Sequence, residues 1–151
     1  MGQFTSGDLA GFEFNTRAGK LQLTRDVVYI DNGGKRWVAP KGMQSDGTSM
    51  PRILWPILGH PFTGKRLKPA LIHDSAYQCA PIWDATIWKA IISEDRRNAD
   101  DVFLNGMFDE GDIGAPAVHR GVRLGGWWAW YRHARRNLKA FLNGDTDVQI
   151  Q

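Results

Sequence analysis

Apolar residues change their spacing partway along this chain, and that change limits the architectures open to it. Before residue 43 they come in short, partly alternating runs: Phe12-Glu13-Phe14, Leu21-Gln22-Leu23, Val27-Val28-Tyr29-Ile30 and Arg36-Trp37-Val38-Ala39. Alternation of this kind is the signature of strands. From residue 49 onward the pattern is helical. Strands first and helices afterwards predict an α+β fold rather than an alternating α/β one. Asp31-Asn32-Gly33-Gly34 supplies a tight turn between the last two runs. The expected domain is therefore an N-terminal antiparallel β-meander over 11–43, packed on a C-terminal set of about four helices over 49–142. A polar tail over 143–151 is expected to fray. At 151 residues the whole chain, 1–151, reads as a single domain.

Punctuation residues place the helices. Asp46 and Ser49 are suitable caps and Pro51 suits a first turn, so a short helix is expected there, interrupted by Pro56 and Gly59-His60-Pro61. Pro69 opens a helix from Ala70 to about Ala80, and Pro81 closes it. Trp83 to Ile92 reads as a helix or a buried extended segment. Ser93-Glu94-Asp95 is an N-cap followed by acids in the first turn, opening a helix to about Phe108. After a loop at 110–114, Pro116 opens a long helix to about Leu142, softened by Gly121, Gly125 and Gly126.

The chemistry concentrates in two of these helices. His73 and Tyr77 are four residues apart and share a helical face, whereas Asp74 lies about a hundred degrees round from His73. On the later helix Ala99, Val102, Phe103, Gly106 and Met107 form one stripe. Asp100 flanks that stripe and Asp101 points nearly opposite, so Asp100 is the carboxylate expected to meet His73 in the interior. A carboxylate on one ring nitrogen fixes the tautomer and raises the basicity of the other. A second carboxylate beside it offers oxygen to a hard cation such as calcium. The competing interpretation is a satisfied core histidine, with Asp74 and Asp100 capping or pairing with Arg66 or Arg97.

Other features exclude more than they assign. Cys79 is the one cysteine, so no internal disulfide forms, and it reads as a buried small hydrophobe. No run approaches the length of a membrane span. Residues 1–10 lack a basic start and an apolar run, so no signal peptide is expected, which fits a cytosolic site of synthesis. No P-loop, dinucleotide glycine pattern, zinc-ligand spacing or serine elbow is present.

Three blocks carry a resemblance. Ser45-Asp46-Gly47-Thr48-Ser49-Met50-Pro51-Arg52-Ile53-Leu54-Trp55, then Ala70 to Tyr77, then Arg97-Asn98-Ala99-Asp100-Asp101-Val102-Phe103 closely resemble phage and prophage proteins of the family catalogued as domain of unknown function 1353. The likeness spans about Phe12 to Trp130 and implies a viral origin. His73 to Ala80 is also similar to the active-site helix of secretory phospholipases of the A type. That likeness implies that His73 is the base, Asp74 a calcium ligand, Tyr77 a support and Asp100 the orienting acid. Ile53-Leu54-Trp55-Pro56-Ile57 stands where those enzymes have a glycine-rich calcium loop, and their cysteine framework is absent. Asp46-Gly47-Thr48-Ser49 is the one stretch that could substitute, with Asp46 as a second calcium ligand and Ser49 and Arg52 as substrate contacts. The favoured alternative for this turn is a helix cap alone, with Gly47 in a left-handed conformation.

The leading functional expectation is thus a phage-encoded protein with a His/Asp hydrolase-like centre, acting on phospholipid or another host-envelope ester or amide during host penetration or lysis. The alternative is a non-catalytic virion, tail or accessory protein, including an inhibitor of a host factor, in which the quartet is a structural network. The last helix carries Arg120, Arg123, Arg132, His133, Arg135, Arg136 and Lys139 beside Trp127, Trp128 and Trp130. A membrane surface is one partner for it. Nucleic acid is the less favoured one, and a core helix with a solvated basic side is the plainest interpretation.

Overall fold

The computed structural model describes residues 1–5, 12–15, 20–45 and 64–145. Among the described residues six strands precede four helices, as the α+β expectation requires. The strands are β1 (Gln3–Phe4), β2 (Phe12–Asn15), β3 (Lys20–Leu23), β4 (Val27–Ile30), β5 (Arg36–Ala39) and β6 (Gln44–Ser45). They form two three-stranded antiparallel sheets, β1-β4-β5 and β2-β3-β6, rather than one meander. The first sheet extends outside 11–43 because Gln3 and Phe4 pair with Ile30 and Tyr29. A two-residue strand has no period to read, so neither β1 nor β6 announces itself in sequence.

The β4–β5 hairpin closes as its turn residues dictate. Gly34 takes φ 80°, a left-handed value that favours glycine. The Asp31 carboxylate accepts from the backbone N–H groups of Gly33 and Lys35, at 2.8 and 3.0 Å, and from Trp37 Nε1 at 2.9 Å.

The helices are α1 (Leu67–Gln78), α2 (Ile87–Ile92), α3 (Glu94–Asp109) and α4 (Ala115–Leu142). A 3-10 turn, Gly64–Arg66, leads into α1. Pro69 lies inside the first turn of α1, where backbone N–H groups have no intrahelical partner to lose, so the helix starts three residues before the expected Ala70. Ser93 caps α3 as expected, its hydroxyl accepting from Arg96 N at 3.1 Å. The glycines of α4 leave it a continuous helix. The segment expected to be helical or buried over 83–92 is a 3-10 turn, Ile82–Asp84, and the short α2. Its apolar side chains are mostly exposed; Asp84, Ala85 and Ala90 are the buried members.

Three apolar clusters hold the layers together. Leu23, Val27, Tyr29, Ala39 and Met43 meet Leu67, Leu71, Ile72 and Val102 between strands and helices. Ala70, Phe103, Met107, Val118 and Val122 join α1, α3 and α4. Tyr77, Ala90, Ala99, Trp130 and Ala134 bring in α2. Helix α1 thus lies in the middle of the fold, and Ser75 Oγ fastens it to β5 by donating to Val38 O at 2.8 Å. Cys79, expected inside, is exposed, because it follows the last turn of α1. Among the described residues no helix is long and apolar enough to cross a membrane.

Candidate functional site

Helical spacing delivers His73 and Tyr77 to the same carboxylate. His73 Nε2 lies 3.0 Å from Asp100 Oδ1, and the Tyr77 hydroxyl donates to that oxygen at 2.6 Å. The other oxygen, Oδ2, accepts from Arg96 Nη1 at 3.1 Å and from Arg123 Nη1 at 2.6 Å. An ionised carboxylate only accepts, so the proton shared with His73 resides on Nε2, and in the neutral ring the Nδ1 lone pair is left for other work. Nδ1 faces Asp74, whose Oδ1 is 3.9 Å away. The second oxygen of Asp74 accepts from the Ser45 hydroxyl, which ties α1 to the end of β6. Asp101 points outward as the helical angle predicts and meets His119 Nε2 at 3.1 Å.

Packing fixes the imidazole plane. The ring packs against those of Tyr77 and Phe103, with centroids 4.2 and 4.9 Å away. Tyr77 in turn meets Trp130 edge-on at 5.0 Å. A Cβ at Gly126 would overlap the Tyr77 hydroxyl, so the glycine is what lets α4 approach Tyr77. His73 is 2% exposed and Asp100 fully buried, whereas Asp74 retains 6%.

Electrostatics follow from this arrangement. Burial by itself pushes His73 toward the neutral ring, but hydrogen bonds and charges from Asp100 and Asp74 reverse that and hold it above its ordinary value. Burial likewise opposes ionisation of Asp100. The hydrogen bond and charge of His73, with donors from Tyr77 and Arg123, outweigh it and keep the carboxyl below its ordinary range. Burial and the neighbouring Asp100 charge drive Tyr77 well upward, so its hydroxyl remains a donor.

Sequence reasoning missed the two arginines. Arg66, one expected partner, instead pairs with Asp112, and Arg97 is exposed. Arg96 was readable from its four-residue spacing to Asp100. It also donates to the carbonyls of Ala90 at 2.9 Å and Ile91 at 3.0 Å, fixing the end of α2. Arg123 follows Val122 on α4, and only the tertiary fold brings it to Asp100. Asp84 was missed as well. It is buried, accepts from Trp130 Nε1 at 2.8 Å and from Ser93 Oγ, and thereby joins three segments. Trp130 is therefore an interior residue and not a surface anchor.

Asp46, Ser49 and Arg52 lie outside the described residues, as does the short helix expected at Pro51. Among the described residues no group of three or more His, Cys, Asp or Glu side chains is placed to hold a metal. Asp74 has one oxygen engaged by Ser45, and Asp46, the other expected calcium ligand, is not among the described residues. A cavity of about 610 Å³ lies to one side of the centre, between Trp37 on β5, Ile72 and Cys79 on or just after α1, and Trp83.

Comparison with known proteins agrees with the three sequence blocks. A family model described as "Protein of unknown function (DUF1353)" matches residues 21–122. The chain is 37% identical over 73 residues to "Uncharacterized protein y4jT" of Sinorhizobium fredii (strain NBRC 101917 / NGR234), covering 48% of this chain and 22% of that protein. It is 36% identical over 52 residues to "Uncharacterized protein y4iH" of the same strain, covering 34% of this chain and 22% of that one. The matched part thus spans about a fifth of each of these relatives. No solved structure matches.

Proposed function

The chain belongs to the DUF1353 family, and from that premise we propose that His73 is the general base of a hydrolytic centre oriented by Asp100 and Tyr77. The observation that carries this is the clamp on one ring nitrogen: Nε2 is engaged by a buried carboxylate, and Nδ1 is turned toward Asp74. In the proposed reaction Nδ1 takes a proton from water while the water oxygen bonds to an ester carbonyl carbon. The bond from that carbon to the alcohol oxygen then breaks, and the imidazolium returns its proton to the departing oxygen. Asp100 stays ionised throughout and stabilises the transient imidazolium. The likeness of the His73 helix to that of phospholipases makes phospholipid the proposed substrate. The resemblance of the three sequence blocks to phage and prophage proteins makes the host envelope its proposed location.

The experiment is fatty-acid release from phosphatidylglycerol vesicles by wild type, His73→Gln and Asp100→Asn, each with calcium and with a chelator. Release that falls by about 10²-fold or more in His73→Gln supports the reading. Equal release by wild type and His73→Gln, or none from wild type in either condition, overturns it. The chelator arm decides whether a cation takes part at all.

A second reading has its own support, the near-complete burial of His73 and Asp100. In it the network fixes the packing of α1, α3 and α4 within a non-catalytic virion, tail or accessory protein. Its mark is a wild type without hydrolysis and a His73→Gln variant with a lowered melting temperature.

A further inference from the structure

We infer that α2 and the outer face of α4 together form a docking surface for an anionic lipid bilayer. The surface uses residues outside the His73 centre and stands whether or not His73 is a base.

Helix α2 buries Ala90 and turns nearly everything else outward. Ile87, Trp88, Ile91 and Ile92 are exposed, and so is Trp83 in the preceding 3-10 turn, with Trp88 67% exposed. Globular surfaces rarely gather large apolar side chains so densely in ten residues, and such a gathering marks an interaction site. The α2 end is fixed against α4, because Arg96 donates to the carbonyls of Ala90 and Ile91 and, at 3.4 Å, to that of Arg123. Along α4, Arg120, Leu124, Trp128 and Arg135 recur at spacings of four, four and seven. They share one outward face, and all four are exposed. Trp128 also packs on Trp127 and Tyr131, with ring centroids 5.8 and 5.6 Å away. Isoleucine and leucine tips with tryptophans among them suit an acyl-chain boundary, where an indole keeps one edge apolar and one edge wet.

Charge selects the occupant. Apart from Arg123, which is turned inward to Asp100, helix α4 carries five Lys and Arg residues and no Asp or Glu, and α2 carries Lys89 and no acid. The acids of the adjoining α3 nearest in sequence, Glu94 and Asp95, occupy its first turn beyond Ser93. Pairing this face with the same face of a second copy would place cations against cations. An anionic headgroup layer meets it with the opposite sign, and each cation near such a surface adds about 1 kcal/mol. A nucleic acid would satisfy the cations, but it leaves Ile87, Ile91, Ile92 and Leu124 without a use.

Co-sedimentation of the full chain with vesicles tests this. Wild type is expected to pellet with phosphatidylglycerol vesicles, weakly with phosphatidylcholine, and less in high salt. Trp88→Ser and Leu124→Ser each weaken binding roughly tenfold. Arg120→Glu weakens it about fivefold or more, on the anionic vesicles alone. Far-ultraviolet circular dichroism checks that these exposed substitutions leave the fold intact. His73→Gln binds vesicles as wild type does, so loss of hydrolysis and loss of docking are read separately. No pelleting with either vesicle overturns the inference, as does wild-type binding by folded Trp88→Ser and Leu124→Ser. A dimer dispersed by Trp88→Ser, or duplex DNA retained in preference to vesicles, reassigns the face and overturns it too.

Discussion

Asp100 is a carboxylate with no free lone pair direction to spare: it accepts from His73, Tyr77, Arg96 and Arg123. Replacing it by Asn keeps the size but removes the charge facing two guanidiniums. Breaking one partner of such a buried set costs about 3–5 kcal/mol, and a large fall in the urea midpoint of Asp100→Asn is the expected result. The imidazole gives a pH signature. Its folded value is raised above the ordinary 6.5, so its stabilisation is complete below 6.5 and disappears as pH climbs through the raised value. Asp100 works in the other sense, its folded value being lowered from 3.8, so its contribution is present above 3.8 and disappears as pH falls through the lowered value. The stability gap between wild type and His73→Gln should therefore be wider at about pH 6 than at about pH 9 in urea titrations. A gap that widens with pH contradicts this assignment. Hydrolysis, which needs the neutral ring, should rise over the same interval.

Among the elements, α4 approaches α1 only because residue 126 lacks a side chain. Gly126→Ala drives a methyl into the Tyr77 hydroxyl, and overpacking of this kind costs about 1–3 kcal/mol. The melting temperature should drop by several degrees. The Tyr77 bond to Asp100 should loosen with it, visible as a changed His73 imidazole shift by NMR. What the sequence disclosed here was the periodic part. Helical spacing placed His73 with Tyr77 and chose Asp100 over Asp101. It could not disclose Arg123, because which face of α4 meets α3 depends on how Val118 and Val122 settle against Phe103 and Met107 and how Trp130 settles against Tyr77 and Ala99. Nor could periodicity show that the apolar α2 segment is largely exposed. Its residue types suit an interior, and the deciding fact is that α2, six residues long, buries only Ala90. The two-sheet arrangement escaped for a different reason: it rests on strands of two residues, whose pairing is set by distant partners.

At the scale of the whole molecule, strands and helices are joined by polar ties as well as by apolar packing. Tyr29 on β4 is fully buried, and its hydroxyl donates to Asp109 at the end of α3 at 2.6 Å. Burial, and then the Asp109 bond and charge, push that phenol far above its ordinary range, so it stays a donor at any physiological pH. Tyr29→Phe retains the ring against Phe4, 4.7 Å away, and removes only the tie. It should cost about 1–2 kcal/mol in chemical denaturation. The fold-level outline, strands first and helices after, was legible because the spacing of apolar residues switches once and stays switched. The cross-links between those parts were not, since Tyr29 to Asp109 and Ser45 to Asp74 span 80 and 29 residues. A further consequence concerns synthesis. Two of the groups that engage Asp100 precede it closely on α1, and a third lies one turn before it, but Arg123 follows it on the last helix. A nascent chain that has not yet released residue 123 from the ribosome holds an incompletely compensated acid and an imidazole without its final brace. The centre therefore cannot mature before α4 has emerged and docked, and a lipid-cleaving activity of the proposed kind would stay silent until then.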